Sequence, residues 1–233
     1  MNLTELNQLE NSLIEKFKSH KTFRAMEQMG RKQFLDVLLQ KRFHSLAFTP
    51  LYDIAIDGME NEQGKQIARE ILREEYPAKM KSHREDLVED LTKIGVPKKE
   101  IMNTAPSEQT ISTLKELFAM LKIEEPQDSY DVKALTILRF WGEVLVSEEY
   151  SFFIKKLSLT GLPKEKSRFY WPHYVHDKKK VELDDTKSEK RTHSDRLTLI
   201  LQKLLNSEEK LKLAAKTEEQ ILKIKEKFYS QFD

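Results

Sequence analysis

The stretch DVKALTILRFWGEVLVSEEYSFFIKKL, residues 131–157, decides the fold. Apolar side chains recur along it at helical spacing, and around its middle they fall on several faces instead of one. A helix of that kind has no wet side, so it should run through the core of a helical bundle. One acid in it is out of place among such neighbours, Glu143, next to Gly142. A bare buried carboxylate is costly and needs a cation or hydrogen-bond donors. Two readings meet that need. Arg139, one turn earlier, closes a structural ion pair, or Glu143 is a metal ligand facing the bundle interior with room left by Gly142.

The rest of the chain supplies the walls. LTELNQLENSLIEKFKSH carries apolar residues at 3, 6, 9, 13 and 17, a helical stripe. RKQFLDVLLQKRFHSLAFTPLYDIAID is long, and Pro50 is expected to kink it or break it in two. GKQIAREILREEY is amphipathic and stops at Tyr76-Pro77. SHREDLVEDLTKIG opens on a capping box of Ser82 and Glu85 and closes at Gly95. Ser107 caps EQTISTLKELFAMLK. The run DKKKVELDDTKSEKR reads as a charged, mobile loop over 178–192, and an amphipathic C-terminal helix follows over 207–233. The expectation is an all-α bundle of roughly seven to nine helices in a single domain spanning residues 1–233.

Composition narrows the function. With 40 basic and 39 acidic residues the net charge is +1, so neither nucleic acid nor an anionic membrane is expected as a partner. There is no cysteine, which excludes disulfides, thiolate ligands, iron–sulfur clusters and a cysteine nucleophile. Only six glycines and seven prolines occur, a profile that suits long helices. No signal-peptide core and no spanning segment is apparent, and a cytoplasmic protein is expected.

Three places could carry chemistry. Glu143 is the first. The second is ILREEYPAKMKSHREDL, where Glu74 and Glu75 end one helix and His83 begins the next. A carboxylate and an imidazole across a short turn can converge on Fe, Mn or Zn, or be plain surface residues. The third is FYWPHYVHDKKKVELDD, residues 169–185. On a helix His173, Asp177 and Lys180 share one face, with His176 just off it. Read alone, this is a charged helix face followed by a loop. Inward Glu, Asp and His from several helices are also how bundles build dinuclear metal sites, and here the set is Glu74, His83, Glu143, His173 and Asp177.

Those residues resemble the haem-oxygenase-like helical superfamily of TenA, PqqC and CADD, most of all the CADD-like diiron oxidase branch. The landmarks are HKTF at 20–23, EILREEY at 70–76, SHREDLVEDLTKIGVPKKEI at 82–101, APSE at 105–108, Glu143, and HYVHDKKK at 173–180. The resemblance spans roughly residues 20–205. It implies a bundle of about seven core helices around a dinuclear iron site, with ligands at Glu74 (or Glu75), His83, Glu143, His173 and Asp177. The sixth family ligand is a histidine, and Lys180 stands in its place. An ammonium has no lone pair, so one iron at most is expected, or a metal-free site held by Lys180, with His176 as the ligand that could restore a second iron.

The expected function is an iron-dependent, O2-activating oxidoreductase acting on a small organic substrate held among Phe140, Trp141, Phe152 and Phe153. The alternatives are a metal-free oxidase of PqqC type, with the histidines and Lys180 as acid, base and anion stabiliser, and a non-catalytic interaction module. Axial haem ligation by His20 or His44 is a further idea. TenA-type thiaminase chemistry uses a cysteine, and this chain has none. The self-sacrificing tyrosine of CADD-type enzymes has Arg24 in its place. A homodimer is among the assemblies the C-terminal helix allows.

Overall fold

The structure is a computed structural model that describes residues 1–77, 79–185 and 192–233. Among the described residues every regular element is helical. In chain order they are α1 (Leu3–Lys18), α2 (Lys21–Ala25), α3 (Arg31–Gly58), α4 (Glu62–Glu75), α5 (His83–Lys93), α6 (Lys98–Asn103), α7 (Glu108–Ala119), α8 (Gln127–Thr136), a π-helical segment (Ile137–Val144), α9 (Leu145–Leu159), α10 (Tyr170–Asp177), α11 (His193–Leu204) and α12 (Glu208–Tyr229).

α8, the π segment and α9 form one continuous rod through the middle. Every residue from Tyr130 to Ser147 is buried, which is why the sequence there is apolar on all faces. α12 packs on α1, α7, α8 and the π segment, so the amphipathic tail spends its apolar stripe on its own bundle. α10 lies on α9, and α11 on the π segment and α4.

The helix boundaries follow local chemistry. Ser82 and Glu85 form a reciprocal capping box at the start of α5, and Ser107 accepts from the Thr110 amide at the start of α7. Gly95 and Gly161 take φ of 87° and 98°, the left-handed conformation that glycine adopts freely. Behind each, an amide five residues past its acceptor closes the turn: Val96 N–H to Leu91 O at 3.1 Å and Leu162 N–H to Leu157 O at 3.0 Å.

Three expectations need correction. α3 runs unbroken through Pro50. The carbonyl that Pro50 leaves without its helical donor is Leu46 O, and the Arg84 guanidinium donates to it at 3.3 Å. Arg139 does not pair with Glu143. It turns the other way, donating to Glu10 of α1 and to Thr198 of α11, with Glu218 of α12 at 3.8 Å. The 178–192 segment is not simply mobile. Val181 and Leu183 are buried, and the Leu183 amide donates to Asn7 Oδ1 at 2.9 Å. Residues 186–191 of that segment lie outside the described residues.

Candidate metal centre

Five elements bring donors together: the end of α4, the start of α5, the π segment, α10 and the start of α11. α4 ends at Glu75, and Glu75 Oε1 lies 2.8 Å from Nδ1 of His83, the first residue of α5. The same oxygen is 3.8 Å from His173 Nε2 on α10. The ring of His173 is fixed from behind, its Nδ1–H donating to the Phe169 carbonyl at 2.7 Å. That bond fixes the ring and turns Nε2 toward Glu75 and His83.

A second group adjoins the first. His193, the first residue of α11, places Nδ1 3.4 Å from Glu143 Oε2 and 3.4 Å from Asp177 Oδ1. Its Nε2 is 3.0 Å from Glu74 Oε2. His176 Nδ1 is 3.4 Å from Asp177 Oδ1. Tyr52 of α3 donates its hydroxyl hydrogen bond to the other oxygen of Glu143. The donor atoms fall into two trios, Glu75–His83–His173 and His176–Asp177–His193, with Glu143 beside the second.

The electrostatics match this crowding of acids. Burial, then the charge of Asp177, raise Glu143 to about 7, against the pull of His193 and Tyr52. Burial would also raise Asp177, but bonds from His176 and His193 hold it well below the carboxylate range. Burial opposes charge on His193, and the carboxylates of Asp177, Glu143 and Glu74 overcome it, pushing the imidazolium up to about 12. Glu75 is drawn down to about 2 by His173 and His83, despite burial. The site is therefore a buried nest of acids balanced by imidazolium protons, which is where a divalent cation would bind in exchange for protons.

The residues fit such an ion. Ligand atoms about 2.1 Å from one metal lie about 3.0–3.4 Å apart at octahedral or tetrahedral angles, and most of the separations above fall near that window. Carboxylates and imidazoles without thiolate suit iron, manganese or zinc. The centre opens on a narrow cavity of about 30 Å3.

No protein-family model and no curated protein matches the chain. Solved structures do. A CADD-like protein of unknown function from Nostoc punctiforme superposes with a TM-score of 0.70 at 15% identity, covering 98% of this chain and 97% of that one. A domain of unknown function with a haem-oxygenase-like fold from Shewanella denitrificans gives 0.72 at 14% identity, covering 100% and 92%. A TenA homologue from P. horikoshii gives 0.66 at 14% identity, covering 98% and 96%. The chain has the haem-oxygenase-like fold.

Within that fold, the site residues read from the sequence are placed unevenly. His83, Glu143, His173 and Asp177 meet in the centre. Of the two glutamates at the end of α4, Glu75 faces inward between two imidazoles, and Glu74 reaches His193 from the half-exposed side. Lys180 is not in the centre. α10 ends at Asp177, Lys178 turns the chain into extended backbone, and Lys180 is exposed, its amide held by Asp195 Oδ1 at 2.9 Å. His193 was missed. It occupies the first turn of α11 directly after the cap Thr192, with Asp195 closing a capping box, and that box was the one signal for it.

The aromatic expectations also shift. Trp141 lines the cavity, together with Phe48, Tyr150 and Phe169. Phe140 and Phe153 are core, and Phe152 stacks on Phe23 at 4.8 Å. His20 caps α2 by accepting from the Thr22 amide, a structural task away from the cavity.

Proposed function

We propose that this protein is a metal-dependent oxidoreductase that activates O2 on a small organic substrate, with a dinuclear centre preferring iron. The observation that carries the reading is His193, which completes a second donor trio where the charge pattern of α10 had left one ligand short. One ion would be held by Glu75, His83 and His173, and the other by Asp177, His193 and His176, with Glu143 between them. Iron at such a site would supply the electrons and the open coordination positions that O2 chemistry needs.

The chain's own groups have defined parts. Glu74 accepts from His193 Nε2 and fixes that ring, as a carboxylate behind a ligating imidazole does. The Phe169 carbonyl does the same for His173. Tyr52 holds one oxygen of Glu143 and so presents the other toward His193. In the metal-free site Glu143 is raised toward neutrality, and the proton it then carries would leave as an ion binds. Trp141, Phe48 and Phe169 keep the substrate end dry. A metal-free oxidase would need a cation other than Lys180, and His193 would be one such cation at the centre.

The test is metal content. Protein purified anaerobically and loaded with ferrous iron is expected to hold about two irons per chain, His193→Ala about one, and Lys180→His the same two as the parent. Iron absent from the parent and from both variants would overturn the reading in favour of a metal-free bundle.

A further inference from the structure

α10 is poorly anchored by its own residues. It has 8 residues, fewer than the roughly 12–15 at which an isolated helix begins to hold in water. Phe169, at its N-cap position, offers no side-chain cap. The first turn is tied instead by Ser167, whose Oγ accepts from the Trp171 amide at 3.2 Å. The Phe169 carbonyl accepts from the His173 amide at 3.3 Å and from His173 Nδ1–H at 2.7 Å. The direction of the His173 ring therefore depends on where residues 167–169 sit.

Asp90 fixes them, from another helix. Its Oδ2 accepts from Ser167 Oγ at 2.7 Å and from the Arg168 and Phe169 amides, both at 3.0 Å. Its Oδ1 lies 3.0 Å from the same Arg168 amide. Asp90, Ser167 and Phe169 are buried, so stranding these donors is costly. The nearest cation, Lys93 Nζ, stands 3.8 Å from Oδ1, and hydrogen bonds carry the grip. Asp86 adds the Arg168 guanidinium, whose Nε donates to it at 2.9 Å. α5 begins at His83, and His83, Asp86 and Asp90, spaced i, i+3 and i+7, share one face. One helix face thus supplies a donor of the first trio and holds the segment that aims another. The rings of His83 and His173 meet at 4.6 Å.

We infer that Asp90 is a positioning residue for the Glu75–His83–His173 trio. It touches no donor atom of the trio; through residues 167–169 it fixes the start of α10 and turns His173 Nε2 toward Glu75 and His83. This rests on the metal reading of the centre. α10 is held at its start by Asp90 and just past its end by Asp195, which accepts from the Lys180 and Val181 amides, both at 2.9 Å. Loss of the first hold acts on the ion of Glu75, His83 and His173 and spares the ion at the Asp177 end. Partners that orient a metal-bound histidine are worth roughly 10–100-fold in affinity, and Asp90 works at one remove, through Phe169, so about tenfold is expected.

The experiment follows the His173 ring and the metal separately. In metal-free protein carrying isotope-labelled histidine, the His173 Nδ1–H proton, assigned by its absence from His173→Asn, is expected to exchange slowly with solvent. Asp90→Ala should speed that exchange about tenfold and, in manganese calorimetry, weaken one of two binding events about tenfold. Asp90→Asn keeps a carbonyl oxygen for the Ser167 hydroxyl and the Phe169 amide and should recover most of both losses. Ser167→Ala removes one of the donors, should give a smaller acceleration, and carries the test if Asp90→Ala does not fold. Lys133→Met is the control. It removes a buried lysine whose bonds run to Lys122 O and Glu125, touching neither α5 nor α10, and should lower the melting temperature while moving neither readout. A folded Asp90→Ala protein with the slow proton and parental affinity overturns the inference, as does Asp90→Asn losing as much as Asp90→Ala, or Lys133→Met moving either readout as far. A parent that takes up no metal, but whose His173 proton answers to Asp90, supports the positioning and removes the metal reading, so the two fail separately.

Discussion

Glu74 and Glu75 are neighbours in sequence, and the structure gives them different work, which a pair of alanine variants separates. Glu75 is only 13% exposed, with both of its close contacts to imidazoles that would ligate the same ion. Its removal takes a ligand from a three-residue set and should lower the stoichiometry from about two metals per chain to about one. Glu74 touches the centre only through His193 Nε2, at 3.0 Å, and its side chain is 49% exposed. Partners that orient a metal-bound histidine are worth roughly 10–100-fold in affinity. Half-exposure screens the interaction and places Glu74→Ala at the low end, about tenfold or about 1.4 kcal/mol. Anaerobic titration with manganese resolves the two cases: Glu74→Ala keeps both binding events and weakens one. Loss of an ion outright in Glu74→Ala, or retention of both in Glu75→Ala, would refute the division of roles.

Arg139→Met leaves Glu10 and Glu218 buried side by side with Lys179, 2.8 Å from Glu10, as the remaining cation, and should cost about 3 kcal/mol, lowering the melting temperature by about 6–12 °C with little change in metal count. Arg84→Met withdraws the donor to Leu46 O behind Pro50 and should cost about 1 kcal/mol in urea unfolding; no loss would mean that water already serves that carbonyl. In the metal-free protein, Glu75 and His173 together contribute most to stability between about pH 4.5 and 6.5. Glu75, lowered to about 2 from 4.5, contributes fully above 4.5 and loses its contribution as pH falls toward 2. His173, raised above 6.5, contributes fully below that value and loses its contribution as pH climbs through the folded value. Glu75→Gln should flatten the acid limb of a pH series of thermal melts.

What could be read from the sequence was what local chemistry controls. The run 131–157, apolar on several faces around its middle, announced a central rod, and the Ser82, Ser107 and Gly95 signals marked real helix ends. Of the two readings of Glu143, the pair with Arg139 fails because Glu10, Thr198 and Glu218, all remote in sequence, hold the guanidinium. Lys180 was misread because nothing local stops α10. The run Asp177-Lys178-Lys179-Lys180 has no glycine or proline, so periodicity carries the helix on to Lys180.

The stop is tertiary, and the residue that makes it also delivers His193. Asp195 Oδ1 accepts from the amides of Lys180 and Val181, both at 2.9 Å, which fixes the chain in its non-helical course after Asp177. Its Oδ2 accepts from the Thr192 amide at 3.1 Å in the box that starts α11 and sets His193 on the first turn. One buried carboxylate thus moves lysine out of the centre and histidine into it, although it touches no metal donor. Asp195→Ala strands three amides, those of Val181 and Thr192 buried, at a cost of about 3 kcal/mol. The more telling readout is metal. A folded Asp195→Ala protein should keep the ion of Glu75, His83 and His173 and lose the other, giving about one metal per chain. If it binds both with parental affinity, His193 is held in place by something other than this cap, and the shared-carboxylate account fails.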